Sequence, residues 1–370
     1  MKKLLSFILF SLASITVFSQ NEEINVAGLV FLNYQSGLPE NILSSKTVVL
    51  VSTPNNPGES IAEDWKPLVE EAHPVLAKAG IDLVGYYFYD DVYSGKEVQE
   101  AFAASWKKRG VGHILLMIKS EINNSKNGTR YLLLATPFNG EASLMTEGQA
   151  AWKKSSKKFD NVLGDIAKAA NKLTKNNLLV ASAPEYFNDV KLLNGQRVES
   201  YYTDLKLGKL AVPTFAGADL PGKRPGGLVN TLIKNRLEQA EAQANSYNAE
   251  LTNLFKGYKF DYGLVDKNSS DKDLMMAGYS YVLHSIRTSG ISIKRFLNYA
   301  VDEEDEHYIT VKVINGKPTM RYIPAKAPVY KYYIKNLKTG NVYLGKNWDA
   351  DETWQESIKN MIYNIGQELK

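Results

Sequence analysis

The chain has 370 residues, no cysteine and four histidines, with 44% hydrophobic and 23% charged side chains and a formal charge of +4. Without cysteine there is no disulfide, no thiol nucleophile and no thiolate metal site, so stability must come from packed cores, and the length suffices for two at about 150 residues each. The near balance of charge leaves no basic footprint for a nucleic acid, and none is expected as a partner.

Lys2 and Lys3 begin the chain, residues 4–18 are almost wholly apolar, and Val17-Phe18-Ser19 resembles a small-residue cleavage site. This is the pattern of a secretory signal peptide over 1–19. Its apolar run of about 15 residues falls short of the roughly 20 that span a bilayer. Cleavage leaves a mature chain of charge about +2, with no later apolar run of membrane-spanning length. The expected address is periplasmic or extracellular, with peripheral attachment at the outer membrane as a further option.

Residues 20–45 read as an extended polar segment, and 46–175 as a first α/β domain. A buried strand is expected at 47–51. A helix follows at 64–79, capped by Asp64, ended by Gly80 and kinked or broken at Pro74. Next comes a strand at 81–89, then a helix opened by the capping box Ser94 and Glu97, with Val98, Phe102 and Trp106 on one face and Gly110 at its end. Strands 111–120 and 129–137 form a hairpin. A helix at 148–173, with Trp152, Phe159, Leu163, Ile166 and Ala170 on a stripe, closes a β-α-β-α-β-β-α order.

Residues 176–227 are read as a hairpin turning at Asn194-Gly195, followed by a Gly/Pro-rich loop, and 228–257 as a long connecting helix. The second α/β domain, 258–370, is expected to hold a strand at 260–265 and a helix at 270–288 capped by Ser270. A short element at 293–299 follows, then strands at 307–314, 320–323 and 329–337, and a helix at 351–369. Trp152 and Trp354 each stand as the first apolar anchor of a closing helix, which suggests an internal duplication. The fold class is therefore α/β, with mixed sheets, helices packed on them, and two similar units joined by a long helix.

Gly217, followed after four intervening residues by Gly222-Lys223, resembles a phosphate-binding loop. Arg224 stands where that loop needs Ser or Thr, and Pro225 removes an amide from the cradle, so nucleotide binding is not expected. Lys223 and Arg224 remain as loop charges near a helix start, able to attract an anion. Along the helix, Ile233, Leu237, Ala240, Ala244, Tyr247, Leu251 and Leu254 form a heptad seam. Such a seam either packs on its own protein or meets a partner. The partner reading takes Ile233, Leu237 and Tyr247 as contacts with an envelope protein or a second copy.

The histidines are far apart and lack His-Glu-x-x-His spacing, and there is no Gly-x-Ser-x-Gly elbow. No catalytic set, metal or cofactor is expected. Asp90 and Asp91 follow a strand, where α/β folds place ligands, but adjacent residues rarely converge. The acidic run 302–306 lacks the glycine and the alternating oxygens of a calcium loop and reads as a solvated turn. The expectation is an exported, non-enzymatic binding or assembly module for another protein or an envelope polymer. The alternative is a carboxylate-dependent hydrolase of polysaccharide or peptidoglycan, using Asp90 and Asp91.

Overall fold

The computed structural model describes residues 32–121, 128–177, 179–187, 190–217, 228–314 and 317–370, with 228–237 and 313 described in backbone only. These residues form two units. The first takes 32–93, 99–187 and 228–234; the second takes 94–98, 190–217 and 235–370.

In the first unit the elements are β1 (Asn33–Gln35), β2 (Lys46–Ser52), α1 (Lys66–Lys78), β3 (Asp82–Phe88), α2 (Tyr89–Val92), all but the first three residues of α3 (Lys96–Arg109), β4 (Val111–Glu121), β5 (Thr129–Pro137), β6 (Ala150–Ser156) and α4 (Phe159–Ala170). They build a six-stranded sheet in the order β1-β6-β5-β4-β2-β3. Val48 to Val51 are all fully buried, as befits a parallel strand covered on both faces. On one face Val49, Val51, Leu115, Met117, Leu133 and Ala135 meet Leu68, Val69, Ala72 and Leu76 of α1 and Phe159, Val162, Leu163 and Ile166 of α4. On the other face Tyr87 packs edge-on against Phe102 at 5.5 Å and Trp106 at 5.2 Å, both from α3.

The second unit contains β7 (Arg197–Val198), a 3-10 turn (Thr203–Lys206), β8 (Leu210–Pro213), most of α5 (Leu228–Phe255), β9 (Tyr262–Val265), α6 (Asp271–Met276), β10 (Tyr281–Ser289), α7 (Gly290–Phe296), β11 (His307–Ile314), β12 (Lys317–Pro324), β13 (Pro328–Asn336), β14 (Val342–Tyr343) and α8 (Trp354–Glu368). Its main sheet runs β7-β14-β13-β10-β8-β9, and β11 and β12 form a separate two-stranded sheet. Leu210, Val212, Leu283, Tyr332 and Ile334 pack beneath Leu251 and Phe255 of α5 and Trp354, Ile358, Met361 and Ile365 of α8.

The two large sheets share one plan. Read across either order, the pairings are parallel, antiparallel, antiparallel, parallel and parallel. The correspondence is one of topology. The tryptophan signal that suggested a duplication does not hold, because Trp152 lies in β6 whereas Trp354 opens α8. Where the first sheet passes from β4 to β5 through residues 122–128, the second inserts α7, β11 and β12 between β10 and β13.

Other expectations need correction. The helix foreseen at 148–173 is a strand followed by a helix, since residues 150–156 are claimed by β5 on one side and β1 on the other. The helix foreseen at 270–288 stops at Met276, where Gly278 takes a φ of 84°, and Tyr281–Ser289 becomes a central strand between β13 and β8. Helix α1 runs through Pro74 without ending. Asn194-Gly195 does not turn a hairpin. A Cβ on Gly195 would lie 2.2 Å from the Gly340 carbonyl, so this position serves a close backbone approach, and Arg197–Val198 pairs with β14. Of α5, residues 228–234 fall in the first unit and 235–255 in the second, where Ala240, Ala244 and Leu251 are buried. Among the described residues, no helix is long and apolar enough to cross a membrane.

Candidate functional site

Lys223 and Arg224 lie outside the described residues, as do the side chains of Ile233 and Leu237. Tyr247 is half-buried, with its ring 5.4 Å from Phe215 and 5.4 Å from Trp354, and those two rings 4.8 Å apart. Asn248 next to it clamps the Phe215 backbone, accepting from its N–H and donating to its carbonyl, both at 2.7 Å. From Ala240 onward the heptad seam therefore covers its own core. Asp90 and Asp91 open the short helix α2, Asp91 buried and Asp90 exposed, so they do not present two carboxylates to one solvent space. Residues 302–306 are exposed, and Glu303 pairs with Arg295. Among the described residues no group of three or more His, Asp or Glu side chains is placed to hold a metal.

Two features that sequence reading missed stand out in the second unit. The first is a polar face on the central strands β10 and β13. His284 lies opposite Tyr333, and Val282 opposite Lys335. Alternation turns these side chains away from Leu283, Tyr332 and Ile334, which fill the apolar core. On that face Tyr333 donates to Glu97 Oε2 at 2.6 Å, and Lys335 bonds Glu97 Oε1 and, at 3.0 Å, Asp271 Oδ2. The His284 ring stacks on Tyr333 at 5.5 Å, with Nε2 3.5 Å from Glu97 Oε1.

The electrostatics follow from this packing. Burial pushes the Glu97 carboxyl up, but His284, Lys335 and the Tyr333 hydroxyl outweigh it and hold it below the usual range. Burial pushes the His284 imidazole below its ordinary value despite Glu97 beside it. Burial would also lower Lys335, yet Glu97 and Asp271 raise it. The capping box expected at Ser94 and Glu97 is not formed: Glu97 is spent on β13, and the Ser94 hydroxyl is buried with no hydrogen bond among the described residues. Further along the same face Lys331, fully buried, bonds Asp349 and the Leu344 carbonyl, and Asn364 donates to Asp349 at 3.2 Å. Each charge in this network meets an opposite one. The arrangement holds a sheet face together and leaves no activated nucleophile or paired acid and base aimed at a substrate.

The second feature is the inserted hairpin. Tyr308, Thr310 and Ile323 turn one face inward and are buried. Register puts Ile309 opposite Tyr322 and Val311 opposite Met320 on the other face, where Ile309 is 48%, Tyr322 66% and Met320 76% exposed. The sequence signal was present in the apolar residues on both parities of 307–314, which a strand with one wet face does not need. Comparison with known protein families, with curated proteins and with solved structures finds no match.

Proposed function

We propose that the chain is an exported, non-enzymatic binding or assembly module that docks another protein through the β11–β12 hairpin. The observation that carries this reading is the hairpin's outward face. Burying Ile309, Val311, Met320 and Tyr322 against a partner would remove a contiguous apolar surface from water, at about 25 cal/mol per Å². Two further points support it. The hairpin is an insertion that the first sheet does without, and insertions on a stable scaffold commonly carry binding. The charged network of the second sheet neutralises itself, and the aspartates of the hydrolase alternative diverge, which leaves that alternative with less support. Export rests on the signal-peptide pattern of residues 1–19.

The test compares the mature chain from Gln20 with a variant carrying Ile309→Asp, Met320→Asp and Tyr322→Asp, each immobilised and exposed to solubilised envelope. A single stoichiometric partner should bind the wild type and be lost from the variant, whose circular dichroism should stay unchanged. Equal capture by both would overturn the hairpin reading. Export is checked by fractionation and by mass: an uncleaved cytoplasmic product would defeat it.

A further inference from the structure

The hairpin has an outer edge as well as an apolar face. The Ala325 N–H donates to the Glu306 carbonyl at 2.8 Å, just beyond the pair His307–Pro324. In an antiparallel ladder bonded and non-bonded pairs alternate, so Tyr308–Ile323 and Thr310–Arg321 are bonded pairs, while Ile309–Tyr322 and Val311–Met320 are not. Val311 agrees, since its N–H turns outward to the Trp348 carbonyl at 3.5 Å. The N–H and C=O of Met320 and Tyr322 therefore point away from β11, along an edge that no other strand covers among the described residues. Pro318 and Pro324, which lack an N–H, occupy the next outward positions and confine pairing on this edge to the stretch between them.

We propose that the occupant of this edge is a second copy of the chain, paired β12 to β12 in antiparallel fashion about a two-fold axis; this rests on the hairpin being the docking surface. The edge is self-complementary. With the axis at Arg321, Met320 of each copy lies opposite Tyr322 of the other, and each such pair exchanges both backbone bonds. Thioether then meets phenol ring, a favourable contact, and the two outward faces join into one apolar surface that stays open for another protein. Charge agrees with the same register. Lys317, exposed at the tip, falls opposite Ala325 of the other copy, and Ala325 lies beside Glu306 at the end of the acidic run. Each basic tip thus meets the other copy's acidic base, and the symmetry repeats the contact. Arg321 faces its counterpart at the axis, but each is already held by Asp351 at 2.9 Å and by Glu352, so no bare like-charge pair forms. The interface is isologous and closes at two copies.

Sedimentation equilibrium of the mature chain from about 1 to about 100 μM reads this directly. The wild type should be a dimer. Met320→Pro removes an outward N–H without taking a bond from β11, and Tyr322→Lys charges the edge; both should be monomers with unchanged circular dichroism. Lys317→Glu and Glu306→Lys should each weaken dimerisation about three- to tenfold, and the double swap should restore it. A dimer that survives Met320→Pro and Tyr322→Lys overturns the proposal. So does a monomeric wild type. A monomer that still captures an envelope protein through the hairpin defeats self-pairing alone, whereas a monomer with no hairpin-dependent partner defeats the binding reading as well.

Discussion

Tyr333, in the middle of β13, donates its phenolic proton to Glu97 Oε2 at 2.6 Å, and in doing so takes from α3 the carboxylate that would have capped its first turn. The bond is charge-assisted and three-quarters or more removed from water, with Glu97 15% exposed. Tyr333→Phe should destabilise the chain by about 1–2 kcal/mol, and Glu97→Ala by about 3 kcal/mol because Lys335 keeps only Asp271. Urea unfolding measures both. A Glu97→Ala loss no larger than that of Tyr333→Phe would mean that Lys335 does not depend on Glu97.

Lys331 and Asp349 make the more severe case, since both side chains are fully buried. Removing one partner strands the other as an uncompensated charge, at about 3–5 kcal/mol, whereas replacing both with apolar residues can be neutral or favourable. Lys331→Met should therefore cost much more than Lys331→Met with Asp349→Leu. Asn364, which donates to Asp349, is left without that acceptor in the double variant and sets a limit on the recovery. Thermal unfolding of the two variants would show whether the pair stabilises the fold or only specifies it.

How far these features could be read in advance depends on what kind of physics sets each one. The strands at 47–51 and 111–120 were legible because continuous β-branched and apolar runs bounded by turn residues have few other uses. Residues 150–156 were not. Their register with β5 and β1 comes from strands distant in sequence, and the real stripe of α4, from Phe159 to Ala170, extrapolates backward by helical spacing to Trp152. The polar face of β10 and β13 was hidden for a similar reason. His284, Lys335 and Glu97 are up to 238 positions apart; the pairing of β10 with β13 sets His284 near Lys335, and the start of α3 brings Glu97 to both. Within the strand expected at 329–337, Tyr332 serves the apolar core while Tyr333 serves the charged face.

The imidazole of His113 in β4 supplies a pH dependence in the first unit. It is 5% exposed, its Nδ1 lies 2.7 Å from Ser45 Oγ, and burial lowers its pKa from 6.5 to about 4. Between those values the unfolded chain binds a proton that the folded chain refuses, so stability is full above pH 6.5 and is lost as pH falls toward 4. The loss is about 3 kcal/mol at most. His284 is shifted in the same direction and adds to the wild-type slope. His113→Gln cannot protonate in this range, and its unfolding free energy should fall less between pH 7 and about 4.5 than that of the wild type. Parallel slopes for the two proteins would remove His113 as the source.

Tyr247 separates a structural seam from a partner seam. In the partner reading Tyr247→Asp leaves stability alone and breaks an assembly. In the fold described above the ring is wedged between Phe215 and Trp354, and the adjacent Asn248 holds the Phe215 backbone. Tyr247→Asp should then cost about 2 kcal/mol of unfolding free energy, as a half-buried aromatic is lost from the edge of the core and a carboxylate left in its place. Ala249→Asp, two residues on at an exposed position of the same helix, should cost less than about 1 kcal/mol. The association state read at matched native concentration should be the same for both variants and the wild type, because the pairing edge proposed for self-association is β12 and not α5. Dissociation by Tyr247→Asp with full stability retained would return the contact to the helix.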